Sequence, residues 1–300
     1  MNKYKGIYPA FYACYDDDGA ISPARTAGYA RFLADAGVDG LYVGGSSGEC
    51  IYRSVPDRKA ELAAVMEAVG GRVRVIAHVA CGNTADSAEL ASYAQSIGAD
   101  AVAAIPPIYF KLPEHAIAAY WNAISAAAPQ TDFFIYNIPQ LAGTSLTPSL
   151  LGEMLKNPKV VGVKNSSPSC EDIVRELIAG GDGFCVFSGV DEQLCAGLAA
   201  GACGGIGGTY GVMPDLYVRL YQLCREGRNE EAAALQRKLT GIIYGMTGAH
   251  GHMLSMAKEM LRLRGLELGT ARLPLAPLSA EDRLIARRLN EKIDMLRGEI

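Results

Sequence analysis

The chain is short of several things. It has four histidines, one tryptophan and no C-x-x-C pair in 300 residues. Only His78 closes an apolar run, so a metal site built from converging imidazoles and carboxylates has little to draw on. The eight cysteines, at 14, 50, 81, 170, 185, 195, 203 and 224, are scattered. That scatter indicates neither a zinc site nor a disulfide framework, and the expectation is eight reduced thiols acting as small buried hydrophobes. No Lys/Arg block stands out against a formal net charge of -4, so nothing draws nucleic acid over long range. Nowhere do 18 uncharged apolar residues run together, and MNKYKGIYPAFYACYDDDG lacks the apolar core and cleavage site of a secretory leader. A cytoplasmic protein with no membrane or nucleic-acid partner is expected.

What is present is half hydrophobic and one fifth charged, and it alternates. Short apolar runs stand at 6–13 (GIYPAFYA), 40–45 (GLYVGG), 73–80 (VRVIAHVA), 100–106 (DAVAAIP), 132–139 (DFFIYNIP), 160–165 (VVGVKN), 184–189 (FCVFSG) and 204–208 (GGIGG). Between them lie helix starts in which a capping residue precedes one suited to the first turn: Ser22-Pro23, Thr84, Pro113-Glu114 and Thr147-Pro148. AGVDG (36–40), IGADA (97–101) and AGACG (200–204) share a glycine just past a helix and a short turn into the next run, a weak repeat of one strand-plus-helix unit.

Strands that alternate with helices must pair in parallel, and near-continuous apolar strands are covered on both faces. Eight units in about 225 residues fit a closed (β/α)8 TIM barrel, usually ~250 residues long. An open doubly wound sheet is disfavoured because no G-x-G-x-x-G follows the first strand. From 228 onward three helix-patterned segments follow with no strand between them. The expected division is a barrel over 1–227 carrying the site and a helical layer over 228–300 packed against it.

In this barrel the site gathers at the carboxyl ends of the strands. GGSSGE (44–49) offers Ser46 and Ser47 on a glycine-rich turn suited to an anion such as a carboxylate. The fifth run brings Tyr136, the seventh Asp191 and Glu192, and the eighth a glycine floor. The sixth closes on Lys164, an unusual residue to finish a valine-rich buried strand. An amine pointed into the barrel mouth is placed to attack a ketone and form a Schiff base.

GLYVGGSSGE, YNIP, GVK, GVDE and AAGACGGIGGTY, with similarity spanning about 5–225, resemble the pyruvate-dependent class I aldolases, the family that contains dihydrodipicolinate synthase and N-acetylneuraminate lyase. GGSSGE, RVRVIAHVA and YNIP resemble the lyase branch. The synthase branch carries an arginine after Y-N-x-P where this chain has residues 140–143, QLAG, so loss of that carboxylate clamp ranks the synthase second. The resemblance implies that Lys164 forms the imine with pyruvate, that Tyr136 shuttles protons, and that Ser46 and Ser47 hold the pyruvyl carboxylate. It implies further that Ser166 lies near the substrate, that Gly189, Asp191 and Glu192 meet its polyhydroxyl tail, and that Gly207 lies beside the pyruvyl group. Tyr109, in PPIYFK, would reach a neighbouring subunit's site, making the protein a homotetramer built as a dimer of dimers. No metal or other cofactor is implied; the partners are a keto acid and an aldehyde.

Three departures bear on which aldehyde is released, and a related 2-keto-3-deoxy sugar acid stands beside sialic acid as a substrate. Gly208 replaces the serine usual in the lyases. Ala13-Cys14 replaces a Thr-Pro. TGAHGHMLSMAKEM lacks an aromatic-arginine pair and offers His250 and His252. Two other classes compete: a metal-dependent aldolase on the same barrel, in which His78 would have to serve although it reads as a packed, hydrogen-bonded residue, and a non-catalytic keto-acid-binding barrel, disfavoured by the joint presence of Lys164 and Tyr136.

Overall fold

The computed structural model describes residues 3–299. The eight apolar runs form eight parallel strands: β1 Gly6–Pro9, β2 Gly40–Val43, β3 Arg74–His78, β4 Ala101–Ala104, β5 Asp132–Asn137, β6 Val160–Asn165, β7 Cys185–Ser188 and β8 Gly204–Gly207. Each pairs with its neighbour in order from β2 to β8, and β1 pairs with β8. The seam between β1 and β2 is closed by Asp39 N–H to Ile7 O (3.0 Å) and Phe11 N–H to Tyr42 O (2.9 Å). This is the TIM barrel expected.

The helices are α1 Pro23–Asp35, α2 Val55–Val69, α3 Thr84–Ser96, α4 Glu114–Ala127, the single turn α5 Pro139–Ala142, α6 Pro148–Met154, α7 Cys170–Gly180, α8 Leu194–Ala199, α9 Pro214–Arg225, α10 Asn229–Thr247, α11 Met253–Arg262 and α12 Ala280–Glu299. The capping chemistry acts as expected at Ser22 and Thr147, whose side chains accept the Arg25 and Leu150 N–H groups. At α3 the cap is Asn83, one residue ahead of Thr84. Gly37, Gly98 and Gly201 take positive φ just past their helices, the device that the repeated turns required.

Side chains alternate across each strand. One set fills the barrel: Tyr8, Tyr42, Ile76, Phe134, Phe187 and Ile206 form an inner cluster separate from the larger core between strands and helices. Tyr8 meets Phe187 edge-on at 4.9 Å, and Tyr4 closes the bottom, donating its hydroxyl to Asp132 Oδ2 (2.9 Å). The barrel is therefore packed solid beneath its mouth. The first apolar run extends to 13, whereas β1 ends at Pro9: Ala10 still bridges Tyr42 and Phe11 still bonds its carbonyl, and residues 12–14 are buried but leave the sheet.

One expectation fails here. Cys185 and Cys203 are joined in a disulfide, with Cα atoms 6.0 Å apart, inside the range a bridge requires. Parallel pairing of β7 with β8 brings them together (Phe187↔Gly204), although their 18-residue separation carries no local signal. The other six cysteines are free thiols.

The C-terminal helices dock through a buried ion pair. Lys258 on α11 donates to Glu49 Oε1 (2.8 Å), and the two side chains are 3% and 0% exposed. Glu49 Oε2 accepts the Arg272 N–H (2.8 Å) and the Tyr15 hydroxyl (3.3 Å). Beside this pair, Arg53 and Glu61 form a wholly buried pair at 2.7 Å.

A second buried polar group ties β5 to β6. Asn137 and Asn165 are register partners. Asn165 donates through Nδ2 to Glu176 Oε1 on α7 (2.9 Å), its own oxygen accepts the Ser167 N–H (2.8 Å), and Asn137 accepts the Leu146 N–H (3.1 Å). Glu176 Oε2 is buried without a partner among the described residues. Burial pushes the Glu176 carboxyl up to about 8, opposed by the Asn165 hydrogen bond, so at neutral pH it stands as the uncharged acid.

Two outcomes follow for stability. The favourable state of Glu176 is complete below its ordinary value of 4.5 and is lost as pH climbs through about 8. Thermal melts between pH 5 and 9 should therefore show wild type losing ground to Glu176→Gln as pH rises; parallel curves would mean that the carboxyl is ionised in the fold. Lys258→Met should cost about 3–5 kcal/mol, because it strands a buried carboxylate, whereas Lys156→Met, which breaks an exposed pair with Glu153, should cost about 0–1 kcal/mol. Urea unfolding of the two variants measures the difference.

Candidate active site

Lys164 and Tyr136 are register partners at the carboxyl ends of β6 and β5. Both point into the barrel, and they are 4% and 3% exposed. The lysine Nζ lies over two aromatic faces, 3.8 Å from the Tyr136 ring centre and 4.4 Å from that of Tyr42. Room for this arrangement comes from Gly162, one inward position below: a Cβ there would stand 2.5 Å from the Phe134 ring and 2.1 Å from Cys185 O. With the barrel filled beneath it, the amine can reach only upward, among rings.

His78 joins the same cluster, edge-on to Tyr136 with ring centres 6.0 Å apart. Its Nδ1 lies 3.0 Å from Gly44 O, and its Nε2 accepts the Ile105 N–H (3.3 Å). A carbonyl can only accept, so the ring is neutral with its hydrogen on Nδ1. Burial lowers its pKa well below the usual histidine value, and the nearby charges of Arg58 and Lys164 act in the same direction. It is the packed, hydrogen-bonded residue expected. Among the described residues no three His, Cys, Asp or Glu side chains gather as metal ligands.

Ser46 and Ser47 lie on a 3-10 turn directly after β2 and are half-buried. Glu49 ends that turn in the left-handed region (φ 56°) and is the residue gripped by Lys258. The loop is thus bolted to α11 from behind. Ser47 borders the end of β8: a Cβ on Gly208 would lie 3.1 Å from Ser47 Oγ and 3.7 Å from Met253 Cε. A cavity of about 390 Å³ opens over these serines, with Ile51, Ile105, Ile138, Leu141, His252 and Met253 on its wall.

On the far side, Asp191 is buried and accepts both the N–H and the hydroxyl of Thr209 (2.6 and 2.5 Å) through Oδ2. Burial raises its carboxyl to about 6 against those two bonds, with Glu192 raising it further and Lys164 lowering it. Asp191 therefore ties the end of β7 to the end of β8, and its Oδ1 stands where a Cβ on Gly207 would be (2.3 Å). Glu192 is half-buried beside it. Ser166, directly after β6, donates to Gly189 O (3.1 Å), and Gly189 leaves space for that serine.

Lys164, Tyr136, Ser166, Gly189, Asp191, Glu192, Gly207, Ser46 and Ser47 thus all follow or finish strands at one barrel end. Tyr109 does not join them. It is 93% exposed with φ 81°, and its ring meets Phe110, itself 72% exposed. Tyr42 and Glu49 escaped the sequence reading. The phase of GLYVGG does not say whether Leu41 or Tyr42 faces inward, and the partner that explains Glu49 lies 209 residues away.

Comparison with known proteins identifies the family. Residues 3–292 match the model of the dihydrodipicolinate synthetase family. The chain is 54% identical over 294 residues to an N-acetylneuraminate lyase of Mediterraneibacter gnavus, covering 98% of this chain and 93% of that one, and 33% identical to an N-acetylneuraminate lyase of Rhizobium meliloti over 93% and 92% of the two chains. The wild-type sialic acid aldolase of Ruminococcus gnavus superposes with a TM-score of 0.98 at 53% identity over 99% of both chains. A dihydrodipicolinate synthase of Bacillus anthracis superposes at 0.91 with 25% identity over 97% and 99%. A buried strand-end lysine against a tyrosine ring, set in a full-length match of this kind, makes the chain a member of the dihydrodipicolinate synthetase family.

Proposed function

We propose that this chain carries out the reversible retro-aldol cleavage of N-acetylneuraminate to N-acetylmannosamine and pyruvate through an imine on Lys164. The observation that carries the reading is the buried amine of Lys164 packed on Tyr136 in a chain 54% identical to a lyase of that name. Lys164 adds to the C2 ketone and water leaves, giving an iminium. Tyr136, left as a phenolate after giving its proton to the departing water, takes the C4 hydroxyl proton, the C3–C4 bond breaks, and its electron pair flows into the iminium to give the enamine of pyruvate while the aldehyde departs. The enamine is protonated at C3, and water releases pyruvate from the lysine. The iminium is the electron sink, so this chemistry calls for no metal or other cofactor.

The carboxylate of the keto acid is assigned to the Ser46-Ser47 turn, and the sugar tail to the side formed by Ser166, Gly189, Asp191 and Glu192. Because Asp191 is engaged with Thr209, it serves the tail through Oδ1 or by holding its neighbours. The synthase reading ranks below: Gln140, Leu141 and Ala142 form α5 with Gly143 as its cap, and no guanidinium is offered from that turn. Residues 1–227 are read as the catalytic unit and 228–300 as the layer that braces its carboxylate loop. Assembly as a dimer of dimers is supported by Tyr109 and Phe110, two exposed rings on one loop. A cytoplasmic setting belongs to the same reading, and the Cys185–Cys203 bridge is the feature that weighs against it.

Borohydride added with pyruvate should fix a covalent adduct on the peptide containing Lys164. Lys164→Ala should abolish both the adduct and pyruvate release, and near-normal release by that variant would refute the assignment. Tyr136→Phe should lower kcat by roughly 10²–10⁴. Across a panel of 2-keto-3-deoxy acids, N-acetylneuraminate should give the highest kcat/KM, with pyruvate plus aspartate semialdehyde giving no product; a chelator should leave the rate unchanged.

A further inference from the structure

The wall of the cavity above the serines is mostly apolar: Ile51, Ile105, Ile108, Ile138, Leu141 and Met253. With the tail assigned to the Asp191 side, any oxygen of the aldehyde half that turns toward this wall is read by the few polar groups on it. Glu49 is its one carboxylate, and both oxygens are engaged by Lys258, by the Arg272 N–H and by Tyr15. His252 is the one imidazole. It precedes α11 and uses Nδ1 to accept the Leu254 N–H (3.1 Å). The residue is exposed and its other nitrogen has no partner among the described residues, and its neighbour Met253 reaches within van der Waals distance of a Cβ built on Gly208, beside Ser47.

The cap determines the tautomer. An Nδ1 that accepts a backbone N–H cannot carry a hydrogen, so the hydrogen of the neutral ring is on Nε2. Partial burial lowers the pKa of the ring, with the charge of Glu49 pulling the other way, which keeps the ring in this neutral form.

We propose that His252 is a specificity-determining residue: held by its own cap, it donates Nε2–H to an oxygen of the aldehyde-derived part of the substrate, leaving the pyruvyl part to Lys164 and the serines. The proposal deepens the lyase reading and rests on it. It predicts discrimination in favour of sugar acids long enough to cross the cavity, without any effect on imine formation by pyruvate alone.

Two substitutions separate the cap from the donor. In His252→Asn the side-chain oxygen occupies the place of Nδ1 and keeps the cap, but nothing stands at Nε2. In His252→Gln the amide nitrogen stands near Nε2, while the cap is lost. His252→Asn should melt within a degree or two of wild type and capture pyruvate with borohydride as wild type does, yet lose about three- to tenfold in kcat/KM for N-acetylneuraminate. His252→Gln should melt lower and recover most of that kcat/KM. An Asn variant with unchanged kcat/KM would show His252 to be a cap alone and overturn the proposal. So would equal loss of pyruvate capture in both variants, which would place the effect on the carboxylate loop. Failure of wild type itself to capture pyruvate would sink the lyase reading, and this proposal with it, by a readout that neither variant supplies.

Discussion

A primary amine lodged between the faces of two tyrosines, at the top of a barrel with no space beneath it, is the constraint around which the rest of the molecule is arranged. The barrel interior is filled by Tyr8, Phe134 and Phe187, and Gly162 gives Phe134 its room directly under Lys164. The electron-rich faces of Tyr42 and Tyr136 favour a cation over them by about 0.5–2 kcal/mol. That preference also suits the proposed chemistry, in which an iminium on Lys164 would be a cation at the same place. The rings need no rearrangement when that iminium forms, which is the condition under which fixed dipoles assist a reaction most.

The other half of the site is held by charge. The serine turn, assigned above to the substrate carboxylate, is held by Glu49 from a left-handed conformation that costs roughly 1–2 kcal/mol for a residue with a Cβ. The cost is met because Glu49 is gripped by Lys258 and by the backbone of Arg272. The helical layer after 228 is therefore joined to the serine turn through Glu49, and Arg272 adds bonds to Tyr52 O and Asp57 just beyond it. Asp191 plays the matching part across the mouth, fastening the end of β7 to the end of β8 through Thr209.

Much of this was legible. The eight strands begin within a residue of where the apolar runs begin, because burial on both faces writes itself as uninterrupted Val, Ile and Ala. Their ends were less legible: Tyr12, Ala13 and Cys14 are as buried as Ile7, yet they have left the ladder, and hydrophobicity records burial and not pairing. Lys164 and Tyr136 stood out because a polar residue ending a buried run has few places to go. Tyr42 did not, since a run that is apolar throughout carries no phase. The Cys185–Cys203 bridge, the Glu49–Lys258 pair and the Asp191–Thr209 clasp share one cause of invisibility. Each joins residues that only barrel closure or helix docking brings together, and no local spacing encodes that.

The division between what is fixed and what varies has a physical origin in the same geometry. The reacting amine, the phenol and the histidine behind them stand on strands, where register leaves no freedom: Tyr136 faces Lys164 because Asn137 faces Asn165 and Phe134 faces Gly162. The wall that meets the far end of a substrate is made of turns and of the first residues of α11, where one side chain can change without moving a strand. Gly208 illustrates the difference. It sits one residue past β8, and a Cβ there would press on Ser47 Oγ at 3.1 Å while meeting Met253 Cε at ordinary contact. Its absence leaves the space above the serines open toward His252. Chemistry in this chain is thus set by the sheet, and the choice of aldehyde by what leans over it.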